Sequence, residues 1–169
     1  MRYLLLLAFF LLIGGGVYIY SNLPTPVLAG DLAPDFQLLD TKGNTITLSE
    51  LRGKVVMVNF WATWCPSCKQ EKPSMERLNK MMADEDFVML AVNTDENGPA
   101  IVPDFLKKNP LDITVLYDAQ GTVKQQYGVY KLPESFIIDK NGIVDQKIIG
   151  PLDWSSPQTI AYFQRLIRG

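Results

Sequence analysis

Hydrophobic residues along the chain fall into short continuous runs separated by segments with helical spacing. Continuous apolar runs at residues 55–61, 87–92 and 113–117 predict three strands that are buried on both faces of a sheet. After the first run, apolar side chains recur at the three- and four-residue intervals of an amphipathic helix. Alternation of this kind predicts a mixed sheet covered by helices.

Two pairs of shorter apolar segments are separated by turn-forming residues and predict β-hairpins. The first pair lies at residues 36–39 and 45–48, and the second lies at residues 136–138 and 143–149. Both connections contain Asp, Asn and Gly, which favour tight turns. The remaining helices are predicted at residues 101–108, after a turn at 118–121, and at residues 159–167.

The only two cysteines, Cys65 and Cys68, lie between the first buried strand and the helix that follows it. Pro66 suits the first helical position, because its φ is already helical and the N–H that it lacks is not needed there. The two thiols are then one turn apart and can form a disulfide. The helix N-terminus would lower the pKa of Cys65, so we expect Cys65 to be the nucleophile and Cys68 the resolving thiol. Pro73 predicts a kink in this helix.

Other uses of a cysteine pair fit the sequence less well. A structural zinc site needs four ligands, and the chain offers two cysteines and no histidine. A structural staple would close a very short loop and would therefore stabilise little. A peroxidase would carry proline and threonine ahead of a single reactive cysteine. A copper chaperone stays open, since copper(I) accepts thiolates, although only Met75 could add a soft ligand nearby.

The N-terminal segment is set apart from the rest of the chain by its composition. No charged residue occurs from Tyr3 to Tyr20, which is close to the shortest length that crosses a bilayer as a helix. We expect residues 1–22 to form an uncleaved signal anchor, residues 23–34 a tether, and residues 35–169 a single domain. The alternative is a secretory signal cleaved near residues 27–29, which would give a secreted form.

Charge distribution bears on location and partners. Arg2 is the only basic residue ahead of the apolar segment, and the positive-inside bias then leaves the domain on the extracytoplasmic, periplasmic side of a single-pass membrane protein. The chain has 16 Lys and Arg against 18 Asp and Glu without a basic cluster, which excludes nucleic acid as a partner. Exported cysteine pairs become oxidised, so a reductant there needs electrons from a membrane thiol protein.

Several separated motifs resemble one family. The segment Asn59–Cys68 is similar to the active-site segment of thioredoxin-fold proteins, and its details resemble the membrane-anchored thiol-disulfide oxidoreductases of the ResA, TlpA and DsbE type, the cytochrome c maturation group. Further matches are residues 34–36, Glu71 with Pro73, and residues 128–136. The resemblance implies an α/β thioredoxin-like fold with a mixed central sheet flanked by helices, an N-terminal β-hairpin and an internal strand-helix insert at about residues 95–116.

The resemblance also implies further site residues. Pro133 would be a cis-proline that faces the cysteines, with Leu132 presenting backbone groups to a substrate strand and Trp64 contacting the substrate. Glu71 matches an acidic residue near the thiols of these proteins. Burial would raise the pKa of Glu71, whereas an ordinary solvated helix glutamate is the alternative interpretation. Glu134 matches the glutamate that follows the cis-proline in cytochrome c maturation members, and the resemblance implies that it contacts the substrate together with Leu132 and Pro133.

The sequence therefore predicts dithiol–disulfide exchange with protein substrates, and apocytochrome c is the expected client. The alternatives are a general reductase for exported proteins and, in a different class, the copper chaperone. We expect no cofactor besides the disulfide of Cys65 and Cys68. Ordinary thioredoxins resemble this segment but carry an aspartate at the position of Asn59. Because an amide does not ionise, any proton relay in this chain must use another group.

Overall fold

The computed structural model describes Gly15 and residues 26–169. Apart from Gly15, the predicted anchor at residues 1–22 lies outside the described residues, as do the first residues of the predicted tether. No helix among the described residues combines the length and the apolar character that a membrane span needs.

Seven strands form one mixed sheet that is flanked by helices. The strands are β1 (Gln37–Asp40), β2 (Thr45–Thr47), β3 (Val55–Trp61), β4 (Phe87–Asn93), β5 (Thr114–Tyr117), β6 (Glu134–Ile138) and β7 (Val144–Ile149). The helices are α1 (Pro66–Met81), α2 (Gly98–Lys108), α3 (Thr122–Gln126) and α4 (Pro157–Arg168), with a 3-10 helix at Leu48–Leu51. The strand order is β2-β1-β5-β4-β3-β6-β7, in which β3, β4 and β5 are mutually parallel and the other pairings are antiparallel.

This architecture matches the predicted mixed α/β arrangement with an N-terminal hairpin. The strand-helix insert predicted at about residues 95–116 corresponds to α2 and β5. Strand β5 joins the hairpin to the rest of the sheet, because it pairs in parallel with β4 and antiparallel with β1.

Some element boundaries differ from the prediction, and at Asp40 and Ser156 a side chain takes over backbone hydrogen bonding. The first hairpin turns at Asp40, whose carboxylate accepts hydrogen bonds from the backbone N–H groups of Lys42 and Asn44, both at 2.8 Å. Leu48, predicted as strand, is buried and begins the 3-10 helix. Helix α4 begins at Pro157 rather than at residue 159, because the Ser156 hydroxyl caps it.

Part of the predicted tether belongs to the folded domain. Within residues 27–33, the N–H of Gly30 donates to the carbonyl of Val144 at 2.8 Å, and the N–H of Val144 donates to the carbonyl of Asp31 at 2.9 Å. Val27 is buried in the core. The tether assigned to residues 23–34 is therefore shorter than predicted, because this segment pairs with the second hairpin.

Strand β3 divides the core into two faces. All of its residues are buried, and they alternate between the two sides of the sheet. Val56, Val58 and Phe60 pack in a cluster with β6 and α3 side chains, whereas Val55 and Met57 pack against α1 and α4. Period-two alternation therefore directs the side chains of residues 59 and 61 towards α1.

Phe136 is the aromatic centre of the first cluster. Its ring is fully buried and makes edge-to-face contacts with Phe60 at 5.9 Å and Tyr127 at 4.9 Å between centroids. We predict that Phe136→Ala lowers the free energy of unfolding by about 3–5 kcal/mol, because the lost contacts leave a cavity. Urea denaturation of the oxidised protein measures this change. The matched control is Ile149→Ala on the adjacent strand, where the side chain is 44% exposed and the loss should stay below about 1 kcal/mol. Equal losses would contradict this account of the core.

Candidate active site

The two cysteines form a disulfide where β3 passes into α1. Cys65 has an extended backbone and is the N-cap of α1, and Pro66 occupies the first helical position. The Cys65 Sγ accepts a hydrogen bond from the backbone N–H of Cys68 at 3.1 Å. This is the arrangement that the spacing predicted. It places the Cys65 sulfur at the positive end of the helix dipole.

The sulfurs are largely covered, although the surface beside them is open. Cys65 is 3% exposed and Cys68 is 1% exposed. Trp64 is 68% exposed and Tyr130 is 74% exposed, whereas Trp61 is buried in the core at 1%. The exposed ring of Trp64, next to Cys65 in the chain, therefore offers apolar surface beside the disulfide.

The loop before β6 approaches the disulfide from the other side. The Leu132–Pro133 peptide bond is cis, as the resemblance implies. Leu132 packs against the cluster that contains both cysteines. The carbonyl of Pro133 accepts a hydrogen bond from the N–H of Gly150 at 2.8 Å, but the backbone of Leu132 makes no hydrogen bond within residues 26–169. Its N–H and carbonyl are free to pair with an added strand.

Glu71 is buried behind the disulfide, so the interpretation of a solvated helix glutamate is wrong. The side chain is 3% exposed. Its Oε1 accepts a hydrogen bond from Asn59 Nδ2 at 2.9 Å, and its Oε2 accepts from Trp154 Nε1 at 3.0 Å and from the N–H of Leu152 at 3.3 Å. The carboxyl group thus lies three residues beyond Cys68 on the helix, held by donors from the sheet and from the segment before α4.

Burial raises the pKa of Glu71 above its ordinary value of 4.5, and the hydrogen bonds from Trp154, Asn59 and Leu152 oppose that change. Desolvation dominates, because an ionised carboxylate loses its hydration in the interior. The site therefore contains an acid whose proton is released closer to neutral pH than that of a surface glutamate.

Glu134 does not offer its side chain to a partner. It is fully buried between Phe60 and Ile149 of the neighbouring strands, and Lys147 Nζ lies 2.9 Å from its Oε1. That ion pair lacks hydrogen-bond geometry, and neither carboxylate oxygen has a hydrogen-bond partner within the described part of the chain. This side chain is not available for the predicted substrate contact, because it is buried on β6 between β3 and β7.

Comparison with known proteins places this site in a family. The family model described as Redoxin matches residues 28–162. The chain belongs to the Redoxin family. It is 41% identical over 140 residues to the thiol-disulfide oxidoreductase ResA of Geobacillus kaustophilus, covering 81% of this chain and 80% of that protein.

Two further similarities support a thioredoxin-like fold for this Redoxin chain. It is 35% identical over 135 residues to the thioredoxin-like protein YneN of Bacillus subtilis, covering 79% of this chain and 78% of that protein. A crystal structure from Chlorobium tepidum, named as a thiol:disulfide interchange protein DsbE, superposes with a TM-score of 0.72 at 34% identity, covering 84% and 96% of the two chains.

Trp154 is a site residue that sequence reasoning missed in this Redoxin chain. Its indole N–H reaches Glu71, which is 83 positions earlier in the sequence. Ser74 on α1 fixes this contact, because its hydroxyl accepts a hydrogen bond from the N–H of Trp154 at 3.2 Å. The single hydroxyl proton points to the carbonyl of Glu71 at 2.7 Å, with the carbonyl of Leu152 at 3.3 Å as a second acceptor. No local pattern signals a partner at that separation, and the tryptophan itself was the only available clue.

Asp95 is a second missed residue, and it holds the loop before the cysteines. Its carboxylate accepts hydrogen bonds from the Thr63 N–H at 2.8 Å, the Thr63 hydroxyl at 3.2 Å and Asn93 Nδ2 at 2.7 Å. The turn between β3 and Cys65 is therefore tied to the end of β4.

The raised pKa of Glu71 predicts a specific pH dependence of stability. The folded protein binds more protons than the unfolded chain between the unfolded pKa, near 4.5, and the higher folded pKa. The contribution of Glu71 to stability is therefore largest below this window, falls as pH rises through it, and is constant above it. Each unit of pKa elevation corresponds to about 1.4 kcal/mol.

The measurement compares the unfolding free energies of wild type and Glu71→Gln across this pH range, with the disulfide intact in both proteins. We expect wild-type stability minus variant stability to fall as pH rises and then to level off. A difference that stays flat, or that grows with pH, would show that the pKa is not raised.

Proposed function

We propose that this protein is a membrane-tethered, extracytoplasmic thiol-disulfide oxidoreductase that reduces disulfides in apocytochrome c. The general activity, dithiol–disulfide exchange with protein substrates, is carried by the disulfide of Cys65 and Cys68 at the N-terminus of α1. The ResA and DsbE relatives bear names for the same chemistry. The client and the location go beyond that activity.

The exchange starts from the reduced enzyme with a Cys65 thiolate. The N–H of Cys68 and the dipole of α1 stabilise this anion, because both direct positive charge at Sγ. Attack on a partner disulfide breaks that bond, forms a bond between Cys65 and the partner, and releases the other partner sulfur as a thiolate. Cys68 then attacks the Cys65 sulfur, releases the second partner thiolate and closes the disulfide, so two electrons pass to the partner.

The surroundings of the disulfide support docking of an extended substrate segment. The unpaired backbone groups of Leu132 can form strand-like hydrogen bonds with such a segment, and the exposed ring of Trp64 supplies apolar contact. Leu132 itself packs against the cluster that contains both cysteines. Recognition through backbone groups suits unfolded clients, since it requires no particular side chain.

Glu71 is the proposed proton-handling group of the site. It lies on the face of α1 that also carries Cys68, and burial raises its pKa. As an acid it can supply a proton to a departing thiolate, and as an anion it opposes ionisation of Cys68. Asn59 holds the carboxyl group in place but does not itself exchange protons.

The assignment of client and location draws on the sequence. The matches at Glu71, Pro133 and Glu134 to the cytochrome c maturation group support apocytochrome c as the substrate. The uncharged segment from Tyr3 to Tyr20 supports tethering to the membrane. A membrane thiol protein would then return electrons to the disulfide after each cycle.

The order of attack predicts which variant captures a client. Cys68→Ser removes the resolving thiol, so we expect the mixed disulfide between Cys65 and its partner to accumulate and to be recovered by non-reducing electrophoresis. Cys65→Ser is the matched control and should accumulate little or none. The assigned order fails if Cys65→Ser captures the partner and Cys68→Ser does not.

The client assignment predicts a defect in cytochrome maturation. A deletion strain should lose most of its covalently bound haem c, because oxidised apocytochrome cysteines cannot attach haem, and an added dithiol reductant should restore it. Complementation with a Cys65→Ser allele should fail. Normal haem c under all growth conditions would eliminate apocytochrome c and favour a general reductase. Tight copper(I) binding by a reduced domain without exchange activity would favour the copper chaperone.

A further inference from the structure

Lys72, on the helix that carries both cysteines, holds its charged group in an unusual position between two aromatic rings. Its Nζ lies 4.2 Å from the ring centroid of Trp61 and 4.3 Å from that of Phe105, so two aromatic rings enclose the ammonium group. The nitrogen is buried and has no hydrogen-bond partner within the described residues. A buried cation without hydrogen bonds is costly, and contact with two rings offsets only part of that cost.

The same enclosed space also contains the resolving cysteine. Lys72 is four residues beyond Cys68 on α1, which places both side chains on one face of the helix. Both residues line a small internal gap between α1 and the sheet. The other residues that line it are Asn59, Trp61, Met75, Ala91 and Leu111. None of these other side chains ionises as an acid.

Few other charges act on the Lys72 ammonium. Desolvation is the largest influence on the pKa of Lys72, which falls to about 8. On α1, repulsion from Lys69 also lowers this pKa, and attraction from Glu76 raises it. On α2, Asp104 and Lys107 pair with each other at the surface. Within the described part of the chain, the Lys72 ammonium therefore lines the same gap as Cys68 and has no hydrogen-bonded anion.

Two other ionisable groups complete the surroundings. Glu71 lies on the opposite flank of Cys68 and is engaged by Asn59, Trp154 and Leu152. Tyr117 packs against the cysteine cluster, and burial raises the pKa of its phenol, which keeps it neutral. Neither group supplies a positive charge to Cys68.

We propose that the Lys72 ammonium is the counter-charge of the Cys68 thiolate, and that it is a positioning residue for the second step of exchange. In that step the Cys68 sulfur attacks Cys65 in the mixed disulfide. The bond between Cys65 and the partner breaks, the bond between Cys65 and Cys68 forms, and the partner leaves as a thiolate, to which Glu71 or water supplies a proton. Cys68 must first lose its proton in a buried location, and a cation that lines the same gap lowers the free energy of that ionisation.

This inference rests on the proposed exchange function, but its central test needs no substrate. In a Cys65→Ser background, Cys68 is the only thiol, and its ionisation is followed by thiolate ultraviolet absorbance. We expect Lys72→Met to raise the pKa of Cys68 by about one unit or more, since it removes a neighbouring charge while keeping an unbranched chain between the rings. Lys72→Arg, which keeps the charge, should restore most of the difference.

Two controls separate this effect from loss of structure or of net charge. Lys80→Met removes a positive charge at an exposed position near the end of α1 and should leave the pKa of Cys68 unchanged. Wild-type protein provides a test without substitutions, because coupling is reciprocal: the pKa of Lys72 should be higher in the reduced than in the disulfide form. An unchanged Cys68 pKa in Lys72→Met, or an equal Lys72 pKa in both redox forms, overturns the proposal.

Kinetics of the second step give an independent readout. With glutathione attached to Cys65, release of glutathione by Cys68 should slow about threefold in Lys72→Met at neutral pH. A one-unit rise in pKa lowers the thiolate fraction about tenfold, but the more basic thiolate is a better nucleophile, which recovers part of the rate. If haem c maturation proves unrelated to this protein, these outcomes are unaffected, so failure of the client assignment and failure of this inference are distinguishable.

Discussion

The junction between β3 and α1 is the constraint on which the active site depends. Strand β3 is buried along its whole length and hydrogen-bonded on both sides, by β4 and β6, so its C-terminal end is fixed in position. Helix α1 starts within a few residues of that end. Cys65 therefore acquires its place at a helix N-terminus from the packing of the sheet, and the hydrogen bond from Cys68 to its sulfur follows from the cap geometry. Asp95 stiffens the short connection by holding Thr63.

Two ionisable side chains of opposite charge type, Glu71 and Lys72, follow Cys68 within about one turn of α1. Glu71 and Lys72 differ in direction by about 100° around the helix axis, so they pack against different parts of the interior. The carboxyl group is surrounded by hydrogen-bond donors, whereas the ammonium group is enclosed by aromatic faces. Because the interior screens charge weakly, each group can influence a buried thiol more than a surface residue could. Under the proposed mechanism, the balance between them, rather than either group alone, sets how readily Cys68 ionises.

The parts of this molecule that could be predicted from sequence are those encoded by neighbouring residues. Apolar runs located the central strands, and Pro66 located the start of α1. Contacts between distant segments were not encoded in this way: Trp154 meets Glu71 only because Ser74 anchors the chain between β7 and α4. Glu134 illustrates the same limit, since its position after Pro133 was recognised but its enclosure by two strands and Lys147 depends on sheet register.

Asn59 explains how the site accommodates a single buried acid. Both of its amide hydrogens are used, one by Glu71 Oε1 and one by Ser135 Oγ on the neighbouring strand, each at 2.9 Å. An aspartate at this position would replace a donor with an acceptor and bring a second carboxylate against the first, which would force one of them to stay protonated. The acidic group can therefore occupy position 59 on the strand or position 71 on the helix, but two anions would not be stable together. With an amide at position 59, the buried acid is Glu71 on α1, within one turn of Cys68.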